Sequence, residues 1–413
     1  MKRGRALEVV KTALIVVLAV GAVFLGAKTG LFNEFFASAT RSLRPQPTAA
    51  ADELTRKVEA CRPLSVVVTG ESGLRCSVRY SEAALDEVYE KLENTLGEAL
   101  GSASGPRAVP EAELLEALGE AGVFFDYSVP LPLSVLSGWL GSEMLRVNDA
   151  EASRLALTGG GETVVLWYVR EDGSVWRCET ASASAALRRL IADYQPNGAQ
   201  FAFELPAYAG LDRLSVITPG EVLIPAVSVS VPSASEAESD LLTAFGLELY
   251  VGNSYPETDG TIVYVGDGET LRIYSGGEAV YRRTEPAPYA PMTAGEAIEI
   301  AGRAARSSAG ALCGEARVYL TGFEKTSSGY TVTFGYTVGG VRVGGPEAAS
   351  VDVWGGAVSQ AKISLRSFST GEEVDLLPEP QAAAIAQEKL PGGRLALVYV
   401  DGGAGLVPAW TVG

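Results

Sequence analysis

The sequence predicts an α+β protein: a single N-terminal transmembrane helix, then an extracytoplasmic α+β domain and repeated units of one helix plus an antiparallel sheet. Three observations lead there. An uncharged apolar run at residues 12–27 follows a basic leader. Beyond it, short alternating segments separated by glycine turns dominate, as in GYTVTFGYTVGGVRVGG at 329–345. Amphipathic helical stripes precede groups of these strand-like segments. A chain of 413 residues is long enough for two or three such cores.

The leader MKRGRALEVVK (1–11) gives way to TALIVVLAVGAVFLGA, closed by Lys28. Those 16 residues cover roughly 24 Å as a helix, against a hydrocarbon core of ~30 Å. Lys28 can snorkel and residues 29–32 can extend the helix, so a span over 12–32 is expected. Lys2, Arg3, Arg5 and Lys11 favour a cytoplasmic N-terminus, which sends the bulk of the chain outside, tethered to the cell membrane by a single pass. The competing reading is a cleaved signal peptide, because Ala37-Ser38-Ala39 fits the small-x-small cleavage pattern. The apolar run exceeds the usual h-region, however, and Lys28 and Phe35-Phe36 stand between it and Ala39, so a retained anchor is the reading adopted. Ala22, Gly26 and Gly30 recur at four-residue intervals and form the candidate interface for a partner helix.

Residues 33–60 read as a juxtamembrane stalk broken by Pro45 and Pro47, with a short helical run at 52–59. An N-terminal α+β domain follows over 61–224. Strands are expected at 64–69 and 74–80 across the Gly70–Gly73 turn, and Ser81 caps a helix whose Leu85, Val88, Leu92 and Leu96 make an apolar stripe. Pro110 opens another helix with Leu114, Leu115 and Leu118 inward. GVFFDYSVPLPLSVLSGWLG (122–141) runs from a strand through two prolines into a turn or short helix. Strands at 163–170 and 174–179 precede a helix at 182–194 stopped by Pro196-Asn197-Gly198. PAVSVSVPSASEAESD (225–240) reads as a linker.

After it, helices at 236–245, 293–307 and 380–388 each lead a set of strands, giving a central unit (241–290) and a C-terminal domain (291–413). The first set is expected at 247–251, 261–265, 271–274 and 279–283. The second lies at 316–323, 330–338, 349–354 and 358–368, and the third at 395–400 and 406–412. Within the second, Gly339-Gly340 supplies a two-residue hairpin turn that places Val338 opposite Val341 and Thr337 opposite Arg342. The face carrying Thr331, Thr333 and Thr337 holds no acid, base or nucleophile, and reads as scaffold.

Composition narrows the function. The formal net charge is −17, and all but residues 1–44 is strongly acidic, so nucleic acid is excluded as a partner. There is no histidine, which removes the commonest general base near neutral pH and the commonest zinc ligand. Cys61, Cys76, Cys178 and Cys313 have no C-x-x-C spacing; three pairings are formally open, and buried free thiols are the reading adopted. Ser359-Gln-Ala-Lys362 matches the S-x-x-K pattern, but it lies in a strand pattern rather than opening a helix. GGGE (159–162) and VGDGE (265–269) are followed by no helix that could present its N-terminus to phosphate. No carboxylate ladder suits calcium. The residues therefore name no catalytic, cofactor or metal site, and a protein that is not an enzyme is expected.

One N-terminal span, GVFFDYSVPLPLSVLSGWLG, IVYVGDGETLRIYSGGEAVYRR, YTVTFGYTVGGVRVGG and a closing LVPAWTV together resemble the YycH and YycI proteins of low-GC Gram-positive bacteria. The layout of residues 60–413 is similar to YycH, and the last two thirds of that region share helix-plus-sheet units with YycI. The resemblance implies a non-enzymatic regulator in two-component signal transduction. Through its membrane helix it would adjust a sensor histidine kinase that controls cell-wall metabolism, with a related YycI-like accessory protein as a further partner. The rival expectation is a cell-envelope ligand-binding or hydrolytic protein, which a deep pocket with converging carboxylates would favour.

Overall fold

The computed structural model describes residues 62–413 apart from 143–149, 286, 289 and 404. The expected span, the stalk and Ala22, Gly26 and Gly30 lie outside the described residues. Within them the protein is α+β, built on two large sheets.

β1 (Ser65–Thr69) and β2 (Arg75–Val78) form the expected hairpin. Its turn closes through a 2.9 Å bond from Gly70 N to Leu74 O. Ser81 caps α1 (Glu82–Ser102) by accepting from Ala84 N, and all four residues of the expected stripe are buried. Then come β3 (Ser104–Val109), α2 (Glu111–Ala117), β4 (Gly122–Pro132), α3 (Leu133–Trp139), β5 (Glu151–Thr158), β6 (Thr163–Val169), β7 (Val175–Ala183) and α4 (Ser184–Ile191). The seven strands run in the order β2-β1-β4-β5-β6-β7-β3, every pair antiparallel.

β3 and β5 were not expected. β3 is an edge strand of sequence SGPRAV with little buried surface, so it has no apolar alternation to read. The helix expected at 182–194 is shorter because β7 runs on to Ala183.

This first sheet is covered on both faces. Val66, Val68, Val123, Phe125, Leu155, Leu157, Leu166 and Tyr168 pack with α1, α3 and α4. Their neighbours Val67, Phe124, Ala156 and Trp167 pack with α2 and with Phe201 and Leu214. Two buried faces explain why β1 and β4 read as continuous apolar runs rather than alternations.

β8 (Gln200–Phe201) and β9 (Val216–Ile217) form a small ribbon between the sheets. The second sheet draws on β10 (Leu223–Ser230), then, after α5 (Ala234–Phe245), on β11 (Ser254–Pro256), β12 (Ile262–Val265), β13 (Glu269–Ile273) and β14 (Glu278–Arg283). After α6 (Ala294–Ala305) it continues with β15 (Ala316–Thr326), β16 (Gly329–Val338), β17 (Val341–Val343), β18 (Ala349–Trp354), β19 (Ala357–Ser364) and β20 (Ser367–Asp375). α7 (Glu379–Lys389) precedes β21 (Leu395–Asp401) and β22 (Leu406–Val412).

The helix-led units are present in sequence but not as separate sheets. β14 pairs with β19 and β17 pairs in parallel with β21, so their strands merge into one thirteen-stranded sheet. Residues 225–240 are not a linker. They form most of β10, which lies between β22 and β20, and the start of α5. Val227 is buried there, and Pro225 is tolerated because the register slips between it and Val227. Residues 247–251 are not a strand: Leu247 precedes, and the other four fall within, a 3₁₀ turn, Glu248–Asn253. The strand expected at 358–368 is two strands, β19 and β20.

The Gly339-Gly340 hairpin forms as expected, with φ of 58° and 79° and with Val338 opposite Val341 and Thr337 opposite Arg342. Its tip presses on the start of α1. A Cβ on Gly340 would sit 3.1 Å from Ser81 N, whereas a Cβ on Gly339 meets nothing within 4 Å. Gly339→Ala should therefore cost about 1 kcal/mol, the left-handed backbone term alone, and Gly340→Ala about twice that. Urea unfolding distinguishes them; equal losses would show that the tip is not docked.

Candidate functional site

The threonine face of β16 joins the two sheets. Thr337 Oγ1 donates to Glu82 Oε1 at 2.9 Å, and Gly340 N donates to the same oxygen at 3.3 Å. Farther along, Thr331 Oγ1 donates to Asp352 Oδ1 at 2.6 Å, which binds β16 to β18. The polar face is thus structural, and its C-terminal end holds the first helix.

Beside this contact lies a cleft of about 320 Å³. Its floor is apolar: Leu85 from α1, Val129 and Leu131 from β4, Ile298 from α6, and Leu320 and Phe334 from the β15–β16 hairpin. A π-helical turn, Arg306–Gly310, extends α6 and brings Arg306 and Gly310 to the wall. Such turns are recurrent at functional sites.

The rim is charged and paired. Arg317 Nε meets Glu82 Oε2 at 2.9 Å and its Nη1 meets Asp86 Oδ2 at 2.8 Å, while Arg62 Nη1 reaches Asp86 Oδ1 at 2.5 Å. Both rim carboxylates are paired with arginine. The nearby Cys313 Sγ donates to Gly310 O and Ala316 O, and burial pushes its thiol up. Geometry of this kind offers an apolar floor beneath a polar lip, and among the described residues lining it no nucleophile is hydrogen-bonded to a base.

A second polar group of residues ties the sheets together deeper in. Arg79, between β2 and α1, makes a bidentate pair with Glu379 at the start of α7, with contacts of 2.6 and 2.8 Å. Asp126 on β4 is paired with Arg394, and Arg154 on β5 with Asp212. Burial pushes the Tyr80 hydroxyl up to about 12, against the positive charge of Arg79 and, less strongly, of Arg394 and Arg342.

Neither the rim pairs of Arg317 and Arg62 with Glu82 and Asp86 nor the deeper pairs of Arg79, Arg154 and Arg394 were singled out from sequence. Glu379 is 300 positions from Arg79, and Arg317 is 231 from Asp86, so no local pattern reports either meeting. The motifs that were weighed resolve as structure. Ser359 Oγ donates to Asp352 O, while Lys362 pairs with Glu278. Arg188 donates to Gly159 O and Gly161 O in the GGGE turn. Among the described residues there is no cluster of metal-ligating side chains, and no helix is long and apolar enough to cross a membrane.

Cys76, Cys178 and Cys313 are free thiols, and Cys61 lies outside the described residues. Burial pushes Cys178 up to about 11. At pH 8 iodoacetamide should modify the partly exposed Cys76 first, with Cys178 and Cys313 slower by ~tenfold or more. Peptide mass spectrometry over a time course reads the order, and equal rates would contradict the burial.

Comparison with known proteins gives a fold and no family. No family model matches the sequence, and no curated protein matches it. The crystal structure of YycH from Bacillus subtilis does match in three dimensions. Its TM-score is 0.57 at 11% sequence identity, over 86% of this chain and 94% of that one. The fold is therefore YycH-like.

Proposed function

We propose that this protein is a membrane-anchored, extracytoplasmic regulator of a sensor histidine kinase, and that it performs no catalysis of its own. The observation that carries this reading is the extent of the YycH-like fold, 86% of one chain and 94% of the other. The resemblance of the sequence segments to YycH and YycI supports it independently. In this reading the span at 12–32 meets the kinase's transmembrane region, the face of Ala22, Gly26 and Gly30 admits the partner helix, and the sheets outside set its position. A YycI-like accessory protein is the second partner.

In lipid there is little hydrophobic drive for helices to associate, so close packing at small residues supplies much of the affinity. Gly26→Leu should uncouple the protein from the kinase without unfolding the ectodomain, while Val23→Leu, rotated off that face, should be tolerated. Crosslinking to the kinase and expression of its cell-wall target genes are the readouts. Full association and regulation by Gly26→Leu, together with their loss on deleting the ectodomain, would place recognition outside the membrane.

A second reading, a ligand-binding role for the ectodomain, is favoured by the apolar cleft between the sheets.

A further inference from the structure

A smaller cavity of about 70 Å³ lies beside the cleft, where β1, β4, the segment before β9, β17 and β21 meet. Ser65, Arg79, Asp126, Ser215, Arg342 and Arg394 are among the residues lining it.

Its charges do not cancel. Arg79 is held by Glu379, Arg394 by Asp126, and Arg154 by Asp212 and, at 3.8 Å, by Asp126. Of the groups that line the cavity itself, three guanidinium groups, Arg79, Arg342 and Arg394, meet one carboxylate, Asp126, which is shared with Arg154. Arg342 makes no ion pair and no side-chain hydrogen bond among the described residues, although the chain as a whole carries a net charge of −17. An unpaired arginine beside two paired ones draws an anion.

The hydrogen bonding is incomplete in the same place. Ser65 and Ser215 are only 6% and 5% exposed, and both hydroxyls lack a partner. Buried polar groups of native proteins are normally satisfied, so two orphans on one cavity call for an occupant. Tyr80, also on the wall, has a φ of 58°, the one described non-glycine residue in that region. An aromatic residue rarely adopts it unless its surroundings impose it, and such positions cluster at ligand sites. Here Trp410 meets its ring edge-on at 6.1 Å and Arg79 lies over it at 5.0 Å.

The space holds roughly five water-sized groups, about the heavy-atom count of a tetrahedral oxyanion. Arg394 reaches solvent, with 37% of its side chain exposed, and gives a route in. We propose that this cavity binds a small oxyanion of the phosphate or carboxylate class, held by Arg342 and Arg394 with the Ser65 and Ser215 hydroxyls donating to it. The occupant would contact both sheets at once and so fasten them to each other. The site does not depend on the regulatory role proposed above.

The test is calorimetric titration and thermal melting of the full-length protein in detergent, with sodium phosphate, acetate or chloride at matched ionic strength. Phosphate or acetate should bind saturably and raise the melting temperature where chloride does not, and the stronger of the two identifies the class. Arg342→Met breaks no ion pair, so it should fold normally and weaken anion binding by about tenfold or more. Ser65→Ala should melt in chloride like the unaltered protein yet bind the anion less well. Arg282→Met, at an exposed position on β14, is the control and should bind normally. Saturable binding unaltered in Arg342→Met would overturn the proposal. So would phosphate and acetate behaving as chloride does, which would mean that the cavity holds only water.

Discussion

Replacing Glu379 with alanine is expected to lower folding stability by about 3–5 kcal/mol, the usual result of leaving one member of a buried ion pair without the other. Glu379 is 1% exposed, and its carboxylate accepts from Arg79 Nη1, from Arg79 Nη2 and from Thr218 N. Arg79 is equally committed: it also donates to Ser77 Oγ at 2.9 Å, Val216 O at 3.1 Å and Thr218 Oγ1 at 2.7 Å. Its neighbours keep its pKa well above the ordinary arginine value in spite of burial. Alanine at 379 strands that cation at the meeting point of the first sheet, the β9 segment and α7. The double variant Arg79→Met/Glu379→Leu removes both charges and should be less destabilised than Glu379→Ala alone, because replacing a whole buried pair with apolar groups is often close to neutral. Guanidinium unfolding measures both. A Glu379→Ala loss below about 1 kcal/mol would show that the pair is hydrated and that the sheets are held by their apolar contacts alone.

What could be read from sequence and what could not divides along one line. Signals confined to a few neighbouring residues were legible. Ser81 and Thr293 mark helix starts that the structure keeps, with Thr293 and Glu296 closing a capping box, and Gly339-Gly340 marks a hairpin with its register intact. Strands β18, β21 and β22 fall within a residue of where alternation puts them. Features defined by distant partners were hidden. The PAVSVSVPSASEAESD segment has the composition of a linker, yet neighbours in the sheet on either side recruit it as β10, which overrides composition. The turn at 248–253 looks like a strand because LELYV is apolar, but Leu249 and Val251 are exposed and only Leu247 is buried. The cleft was still less legible, since its rim pairs Arg317 with Glu82 and Asp86 across more than half of the described chain. The one local hint was Glu82 in the first turn after Ser81, a position that the helix dipole alone would explain.

The Phe124-Phe125 pair tests the most consequential architectural claim, that the first sheet is buried on both faces. Adjacent residues of a strand point to opposite sides. Phe125 is 0% exposed and meets Tyr89 of α1 edge-on at 6.4 Å. Phe124 is 1% exposed and meets Phe201 edge-on at 5.3 Å on the other side, in a separate cluster with Leu114, Leu118 and Trp167. In a sheet with one solvated face, only one of the two could matter. Here Phe124→Ala and Phe125→Ala should each cost about 3–5 kcal/mol, through lost burial and the cavity left behind. Leu74→Ala, at a position 60% exposed, should change stability by less than about 0.5 kcal/mol. Chemical denaturation of the three variants decides the matter. If Phe124→Ala behaves like Leu74→Ala, then α2 and the 200–217 segment do not cover the sheet. The continuous apolar run of β4 would then need another partner, and the ribbon that carries Ser215 and Thr218 to the polar junction would lose its support.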